Sequence, residues 1–182
     1  MVIPSNRRRL LLYWLIAPAL AQTPYAPPVL GVCELLRNLD AWRGKEVVVV
    51  ARVAWTFEGN FASEKCAPDE RILIQGNKWL SALAWRTEAV GDTQARPLPV
   101  DEAAVTRKVL QLNGGALLHR DDAKKPHGID MRPHWTVGFG RVVSPERLRP
   151  YRKGAPGNGY GANGTVPAAI DVAIEHDLGS AE

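Results

Sequence analysis

The feature that most constrains the fold is a run of alternating side chains at residues 46–57. One side of this run is apolar, while the other becomes polar toward its far end. An alternation with a period of two residues is typical of a β-strand. The run would span about 40 Å if straight, so we expect it to bend, as long strands do in small closed barrels. The apolar side carries Val47, Val49, Ala51, Val53, Trp55 and Phe57.

The patterns on either side of this strand predict two helices and further strands. A short amphipathic helix is expected before the strand, and a longer helix is expected after it, with Asp101 as its N-cap. The helices are predicted at residues 32–42 and from residue 101 to the glycines at 114 and 115. The further strands are predicted at residues 71–75, 79–86, 135–143 and 166–174. A return strand after the long strand is expected to begin within residues 61–66.

This order is a short helix, three strands, a helix and two strands. It predicts a mainly β protein, a small five-stranded OB-like barrel with an N-terminal short helix and one helix between strands 3 and 4. OB-folds bind ligands on strands 2 and 3, between the loops that join strands 1 to 2 and 4 to 5. Those loops are residues 58–60 and 144–165 here. An open α+β sheet is the competing architecture.

The first 21 residues have the pattern of a secretory signal peptide. Arg7, Arg8 and Arg9 form a positive region, a short apolar run follows, and Ala21 ends a small-x-small cleavage site. The apolar run is shorter than the roughly 20 residues that span a bilayer. We therefore predict export, to the periplasm or outside the cell, with no stable membrane anchor after cleavage.

Cleavage changes the charge balance of the chain. The whole sequence has 23 Lys and Arg against 19 Asp and Glu, a net charge of +4, and the signal peptide supplies three of the cations and no acid. The mature chain therefore carries about +1. This balance argues against nucleic acid as the partner, because proteins that bind phosphate chains usually show a basic excess.

Two cysteines, Cys33 and Cys66, remain after cleavage. Disulfides form and persist in exported proteins, so we predict one bridge between them. It would stabilise the fold by roughly 3–4 kcal/mol on the chain-entropy model. The alternative is a pair of buried free thiols.

Catalytic and metal-binding patterns are weak. His119, Asp121, His127 and His134, with Asp122 beside them, form the cluster most similar to a metal site, but their spacing fits no established ligand pattern. The glycines at 159, 161 and 164 match a dinucleotide fingerprint in letters, without the flanking strand and helix that such a site needs. We therefore expect no enzyme activity and no cofactor.

Ligand contacts are predicted on the long loop near the C-terminus. A basic run there includes Arg152 and Lys153, and it is flanked by Tyr151 and Tyr160. Aromatic side chains on the strands could form a stacking platform, although their alternation places most of them in the core. This aromatic set is Trp55, Phe57, Phe61, Trp79, Trp85 and Trp135.

Two segments, Cys-Glu-Leu-Leu at residues 33–36 and Gly-Lys-Glu-Val-Val-Val at residues 44–49, resemble the opening of a group of exported bacterial proteins of unknown activity. The segments at 159–161 and 167–169 are similar to the end of that pattern, so the resemblance covers most of residues 32–176. It implies an OB-like barrel and a secreted location, and it implies no activity. Residues 119–133 and 145–156 depart from the pattern.

The predicted organisation is a signal peptide at residues 1–21, an extended linker at 22–31 and an OB-like domain at 32–178. The predicted function is a non-catalytic binding or interaction module of the bacterial cell envelope, with an envelope protein or a small ligand as partner. One alternative is a metal-dependent hydrolase that uses residues 119–134. Another is an OB domain that binds nucleic acid or oligosaccharide.

Overall fold

The computed structural model describes residues 26–87, 96–116, 118 and 133–179. Eight of the twelve regular elements within these ranges are strands. In chain order the elements are β1 (Val29–Leu30), α1 (Val32–Arg37), α2 (Leu39–Trp42), β2 (Glu46–Thr56), β3 (Gly59–Ser63), β4 (Arg71–Ile74), β5 (Asn77–Leu80), β6 (Ala82–Thr87), α3 (Glu102–Leu112), β7 (His134–Val143), a 3-10 turn (Ala162–Gly164) and β8 (Ala168–Gly179).

Five strands close into a barrel in the order β2-β3-β6-β8-β7, with β7 returning to β2. Residues 46–53 of β2 pair with β7, and residues 52–56 pair with β3, so the long strand serves both halves of the barrel. The β6–β8 pairing is parallel and the other barrel pairings are antiparallel. This order confirms the OB-like barrel and excludes the open sheet.

The interior of the barrel is filled by one face of each strand. Val47, Val49 and Val53 of β2 point inward, and α1 adds Leu35 and Leu36 to the same apolar cluster. The helix predicted over residues 32–42 is divided into α1 and α2 at Asn38.

Helix α3 covers a second cluster on the outside of the barrel. Its Val105 and Val109, four residues apart and therefore on one face, pack with Val48 and Val50 on the outer face of β2. The helix begins as predicted, because the Asp101 side chain accepts a hydrogen bond from the Ala103 N–H at 3.1 Å. Both faces of the first half of β2 are therefore buried, and its outer face becomes exposed at Arg52.

The strand predicted at residues 71–75 is not a barrel strand. β4 and β5 form a separate two-stranded hairpin, which leaves the barrel after β3 and returns before β6. Its inner face, with Ile72, Ile74 and Trp79, packs on the barrel core. The second barrel strand is instead β3, close to the return strand expected from residue 61.

The predicted disulfide between Cys33 and Cys66 is present, with the two Cα atoms 5.2 Å apart. It joins the first turn of α1 to the connection between β3 and β4. The bridge therefore fastens the N-terminal helix beside the base of the hairpin.

The predicted signal peptide, residues 1–21, lies outside the described residues, as do residues 22–25 of the predicted linker. The last residues of that linker belong to the sheet, because β1 pairs in parallel with Val48 and Val49 of β2. No helix within the described ranges has the length and apolar character needed to cross a bilayer.

Candidate functional site

The outer face of β3 and β6 is where an OB-like barrel would present a ligand site, and here it is built around Phe61. The pairing register places Phe61 between Ala54 of β2 and Ala84 of β6. Side chains that lie directly opposite each other in neighbouring strands share a face of the sheet. Because both flanking residues are alanines, the phenyl ring stands above a shallow floor.

The turn between β2 and β3 forms one wall of the site around Phe61. The Thr56 hydroxyl donates to the Gly59 carbonyl oxygen at 2.8 Å and accepts from the Glu58 N–H at 3.2 Å. These bonds hold a tight turn whose tip carries Phe57, a side chain that is fully exposed at 100%. An aromatic ring is therefore presented to solvent on a braced turn.

The segment that joins β7 to β8 forms the opposite wall, and side-chain hydrogen bonds hold it in place. The Ser144 hydroxyl donates to the Pro167 carbonyl oxygen at 3.0 Å. The Asn158 amide accepts from the Arg149 N–H at 2.7 Å and donates to the Arg147 carbonyl oxygen at 2.8 Å. This wall is a shaped loop that can present a fixed surface.

The glycines of this loop let its backbone lie close to the Phe61 ring and to other parts of the loop. A Cβ on Gly161 would lie 3.1 Å from the Phe61 ring, and its φ of +71° suits glycine. A Cβ on Gly164 would lie 2.6 Å from the Gly157 carbonyl carbon. The apparent dinucleotide fingerprint is therefore explained by packing.

Between the two walls lies an open cavity of about 470 Å³, which we call the aromatic cleft. Its size falls within the range of small-molecule sites. Most of its lining is apolar, with Glu58 as the charged exception. The cleft is lined by Thr56, Phe57, Glu58, Phe61, Leu80, Ala82, Gly161, Thr165 and Val166.

The predicted contact residues lie around the cleft without lining it. Tyr160 is half-buried, and the Arg86 guanidinium lies 5.9 Å from the centre of its ring. Burial raises the pKa of the Tyr160 hydroxyl. The Arg86 Nε atom also lies 2.8 Å from the Asp171 Oδ1 atom, so these two charges form an ion pair beside the Tyr160 ring.

Tyr151 contributes to a smaller notch of about 210 Å³, which includes Arg71 and Lys78 and meets the aromatic cleft at Leu80 and Thr165. Arg152 and Lys153 lie in an exposed turn and line neither cavity. The structure thus brings Tyr151 to the rim of the site and leaves these two cations outside it.

Half of the six aromatic side chains lie in the core, two are exposed, and Phe61 is half-buried. Trp79, Trp85 and Trp135 are buried, as their alternation predicts. Trp55 is 56% exposed and Phe57 fully exposed. Both residues lie beyond the part of β2 that pairs with β7, since within the described ranges this pairing stops where His134 meets Val53.

Three of the candidate metal ligands, His119, Asp121 and His127, lie outside the described residues. His134 begins β7, and its Nδ1 is 3.8 Å from the Asp177 carboxylate. Within the described ranges, no group of three or more His, Cys, Asp or Glu side chains is arranged to hold a metal ion.

No family model matches the sequence, and no curated protein matches it. Among solved structures, the chain is similar to a putative aspartyl-tRNA synthetase from Leishmania major Friedlin, with 12% identity and a TM-score of 0.36. The match covers 91% of this chain and 24% of that protein, so the chain spans about a quarter of the synthetase. A likeness this distant carries no functional argument.

Sequence analysis predicted the two loops that form the walls of the cleft, but it missed the contribution of the hairpin. Leu80 lines both the cleft and the notch, although its strand was expected to continue unbroken into the barrel. Leu80 is exposed and Trp79 is buried, but both are apolar, so the sequence pattern does not mark Leu80 as a surface position.

Proposed function

We propose that this chain is a non-catalytic binding module of the bacterial cell envelope, which holds its ligand in the aromatic cleft. The observation that carries the proposal is Phe57, fully exposed on a braced turn beside an open, mostly apolar cavity. An exposed aromatic side chain contributes little to folding, whereas aromatic side chains dominate the energetics of binding sites.

The two walls support a binding role because each is held by its own hydrogen bonds. A ligand that enters a preformed cavity does not have to order the loops, and this lowers the free-energy cost of binding. Among the described residues that line the cleft, Glu58 is the one ionisable side chain, whereas a hydrolytic site pairs an acid with a base.

The experiment is retention of envelope components on the immobilised protein, with protein, glycan and lipid fractions applied separately. We expect one fraction to be retained by the wild type and lost with Phe57→Ser. Leu73→Ser is the matched control, because Leu73 is also exposed, at 68%, but lies outside the cleft. Equal retention by all three proteins would contradict a ligand site at the cleft.

A second candidate is a nucleic-acid or oligosaccharide-binding OB domain. Phe57 and Phe61 favour it, since stacking on aromatic rings is how such domains hold bases. Single-stranded nucleic acid would give retention on heparin that falls steeply with salt. Elution at low salt would leave a carbohydrate or protein ligand.

A further inference from the structure

The outer face of the hairpin carries apolar and charged side chains at neighbouring positions. Leu73 of β4 lies opposite Lys78 of β5, and Arg71 lies opposite Leu80, and all four side chains are exposed. Residues directly opposite each other in an antiparallel pair share one face, and so do residues two apart in a strand. The hairpin therefore covers the core with one face and presents two leucines and two cations to solvent with the other.

The segment that joins β7 to β8 is fastened to this hairpin by one side chain. Gln75, at the hairpin turn, donates to the Glu146 carbonyl oxygen at 2.9 Å and accepts from the Leu148 N–H at 2.9 Å. Its φ of +50° is uncommon for a residue other than glycine, and the two bonds hold it there. Tyr151 of the same segment lines the notch beside the hairpin. The hairpin and the segment therefore present one continuous surface.

The large apolar side chains that are exposed gather around Leu80. Phe57 lines the aromatic cleft with it, Tyr151 lines the notch with it, and Leu73 is its diagonal neighbour on the hairpin. The fifth such side chain within the described ranges is Trp55, two residues before Phe57 in the sequence. Exposed apolar side chains gathered in one place mark a site for a protein or a membrane.

This surface also carries the basic excess of the mature chain. Residues 144–157 contain one acid, Glu146, and four exposed cations that form no ion pair within the described ranges, namely Arg147, Arg149, Arg152 and Lys153. On the hairpin, Lys78 lies 3.1 Å from Asp69, while Arg71 has no carboxylate partner in the same part of the chain. Since the mature chain carries about +1 in all, the remainder of it has a small negative charge.

Apolar side chains interspersed with cations suit the surface of an anionic bilayer. Leucine and aromatic side chains enter the boundary between headgroups and acyl chains, while the long lysine and arginine side chains extend to the lipid phosphates. The core of a protein–protein interface is by contrast depleted of charged residues. Here the cations lie between the leucines on one face of the hairpin, and this favours a lipid surface over a protein.

We propose that this surface, the basic-apolar face, binds an anionic lipid bilayer. The face is formed by Arg71, Leu73, Lys78, Leu80, Tyr151 and the turn at residues 152–153. Its apolar side chains enter the interface, and its cations lie on lipid phosphates. Such binding does not require a ligand in the aromatic cleft, and so goes beyond the proposed function. It also gives a role to Arg152 and Lys153, which line neither the cleft nor the notch.

The test is binding to lipid vesicles, measured by sedimentation, of the chain that remains after cleavage at Ala21. This chain contains every described residue and lacks the apolar run of residues 1–21, which would itself bind lipid. Vesicles of phosphatidylglycerol mixed with phosphatidylcholine are compared with vesicles of phosphatidylcholine alone. We expect binding to the anionic vesicles to be about tenfold tighter at low salt, and the difference to shrink as salt is added.

Matched variants test the charged and the apolar parts of the face separately. Arg71→Gln should weaken binding to the anionic vesicles about fivefold. Arg141→Gln removes the same charge from an exposed position on β7 outside the face, and should change binding by less than about twofold. Leu73→Ser should weaken binding about tenfold, because it removes apolar surface from the interface. All three side chains are exposed, so the fold should be kept, and circular dichroism checks this.

Leu73→Ser is the control for the aromatic cleft and a test variant for the basic-apolar face, so the two proposals fail separately. A ligand held in the cleft is lost with Phe57→Ser and kept with Leu73→Ser. Binding to anionic vesicles is weakened by Leu73→Ser and by Arg71→Gln, neither of which changes a residue that lines the cleft.

Three results would overturn the lipid surface. One is equal binding of anionic and neutral vesicles, or no binding of either. Another is binding by Leu73→Ser and Arg71→Gln that matches the wild type. The third is retention of an envelope protein, but of no vesicle, that is lost with Leu73→Ser, which would assign the face to a protein partner.

Discussion

At the scale of single residues, the barrel depends on positions where no side chain fits. A Cβ on Gly138 would overlap the Trp85 ring, and one on Gly140 would overlap the backbone carbonyl of Asp171. Trp85 can therefore lie across β7 inside the barrel, and β7 can approach β8 closely where their register shifts. Both glycines are conditions for filling and closing the barrel.

We expect Gly140→Ala to destabilise the protein by about 1–3 kcal/mol, because the added methyl group meets backbone that moves little. Urea unfolding followed by circular dichroism measures this change. Gly44→Ala is the control, since its Cβ would meet nothing within 4 Å and its cost comes only from a φ of +74°. A loss well below about 1 kcal/mol for Gly140→Ala would contradict close strand packing.

The pair between Glu34 and Lys108 predicts a pH effect. Burial raises the pKa of Glu34, but hydrogen bonds from Lys108 and the Gly31 N–H, with the charge of Lys108, outweigh it and leave the pKa lowered. A carboxyl group whose pKa is lowered by folding stabilises the fold when the pH is above its ordinary pKa. This stabilisation is lost as the pH falls through the pKa of the folded state. The pair therefore joins α1 to α3 at neutral pH and releases them in acid.

Glu34→Gln should cost up to about 1 kcal/mol at neutral pH, with a difference from the wild type that shrinks in acid. Urea unfolding across the acid range checks it. Glu46→Gln is the control, because Glu46 lies 3.9 Å from Arg141 and both side chains are more than half exposed. The pH dependence that comes from Glu175 has the opposite sign. Burial raises the pKa of its carboxyl group, so its contribution to the stability of the fold is lost as the pH rises. A constant difference between Glu34→Gln and the wild type would contradict the ion pair.

At the scale of elements, the hairpin of β4 and β5 has two unlike faces. Trp79 packs on the barrel core, while Leu73 on the other face is exposed. We expect Trp79→Ala to cost about 3–5 kcal/mol and Leu73→Ala to remain within about 0.5 kcal/mol of the wild type. Thermal unfolding of the two variants tests this difference. Similar losses would mean that the hairpin does not cover the core.

The elements that the sequence predicted well are those with a strong local signal. The alternation of β2 and the Asp101 cap of α3 each appear within a few residues of the expected bounds. The break between β5 and β6 was missed because it leaves no mark in the pattern. Trp79, Ser81, Leu83 and Trp85 are all buried at alternate positions, so the alternation continues across Ser81 although the pairing partner changes.

The site was predicted in outline, because its walls follow from strand order, and missed in detail. Trp55 lies beyond the part of β2 that pairs with β7, which stops at Val53, and alternation within β2 does not contain this tertiary fact.

At the scale of the whole molecule, the disulfide closes a loop with a sequence separation of 33 residues that contains β2 and β3. Replacing both Cys33 and Cys66 with serine should cost roughly 3–4 kcal/mol by the chain-entropy model. Thermal unfolding checks this, and a reductant should lower the midpoint of the wild type only. A reductant effect of equal size on the double variant would contradict the bridge as its cause.

The parallel pairing of β6 with β8 has a consequence for the order in which the protein is made. A ribosome adds β8 after every other described strand, and until residues 168–172 emerge, β6 has no partner on that side and β7 has none beyond β2. Both strands then expose the unpaired edges that promote aggregation. A translation product that stops before Ala168 would therefore be an open sheet with two unpaired, aggregation-prone edges.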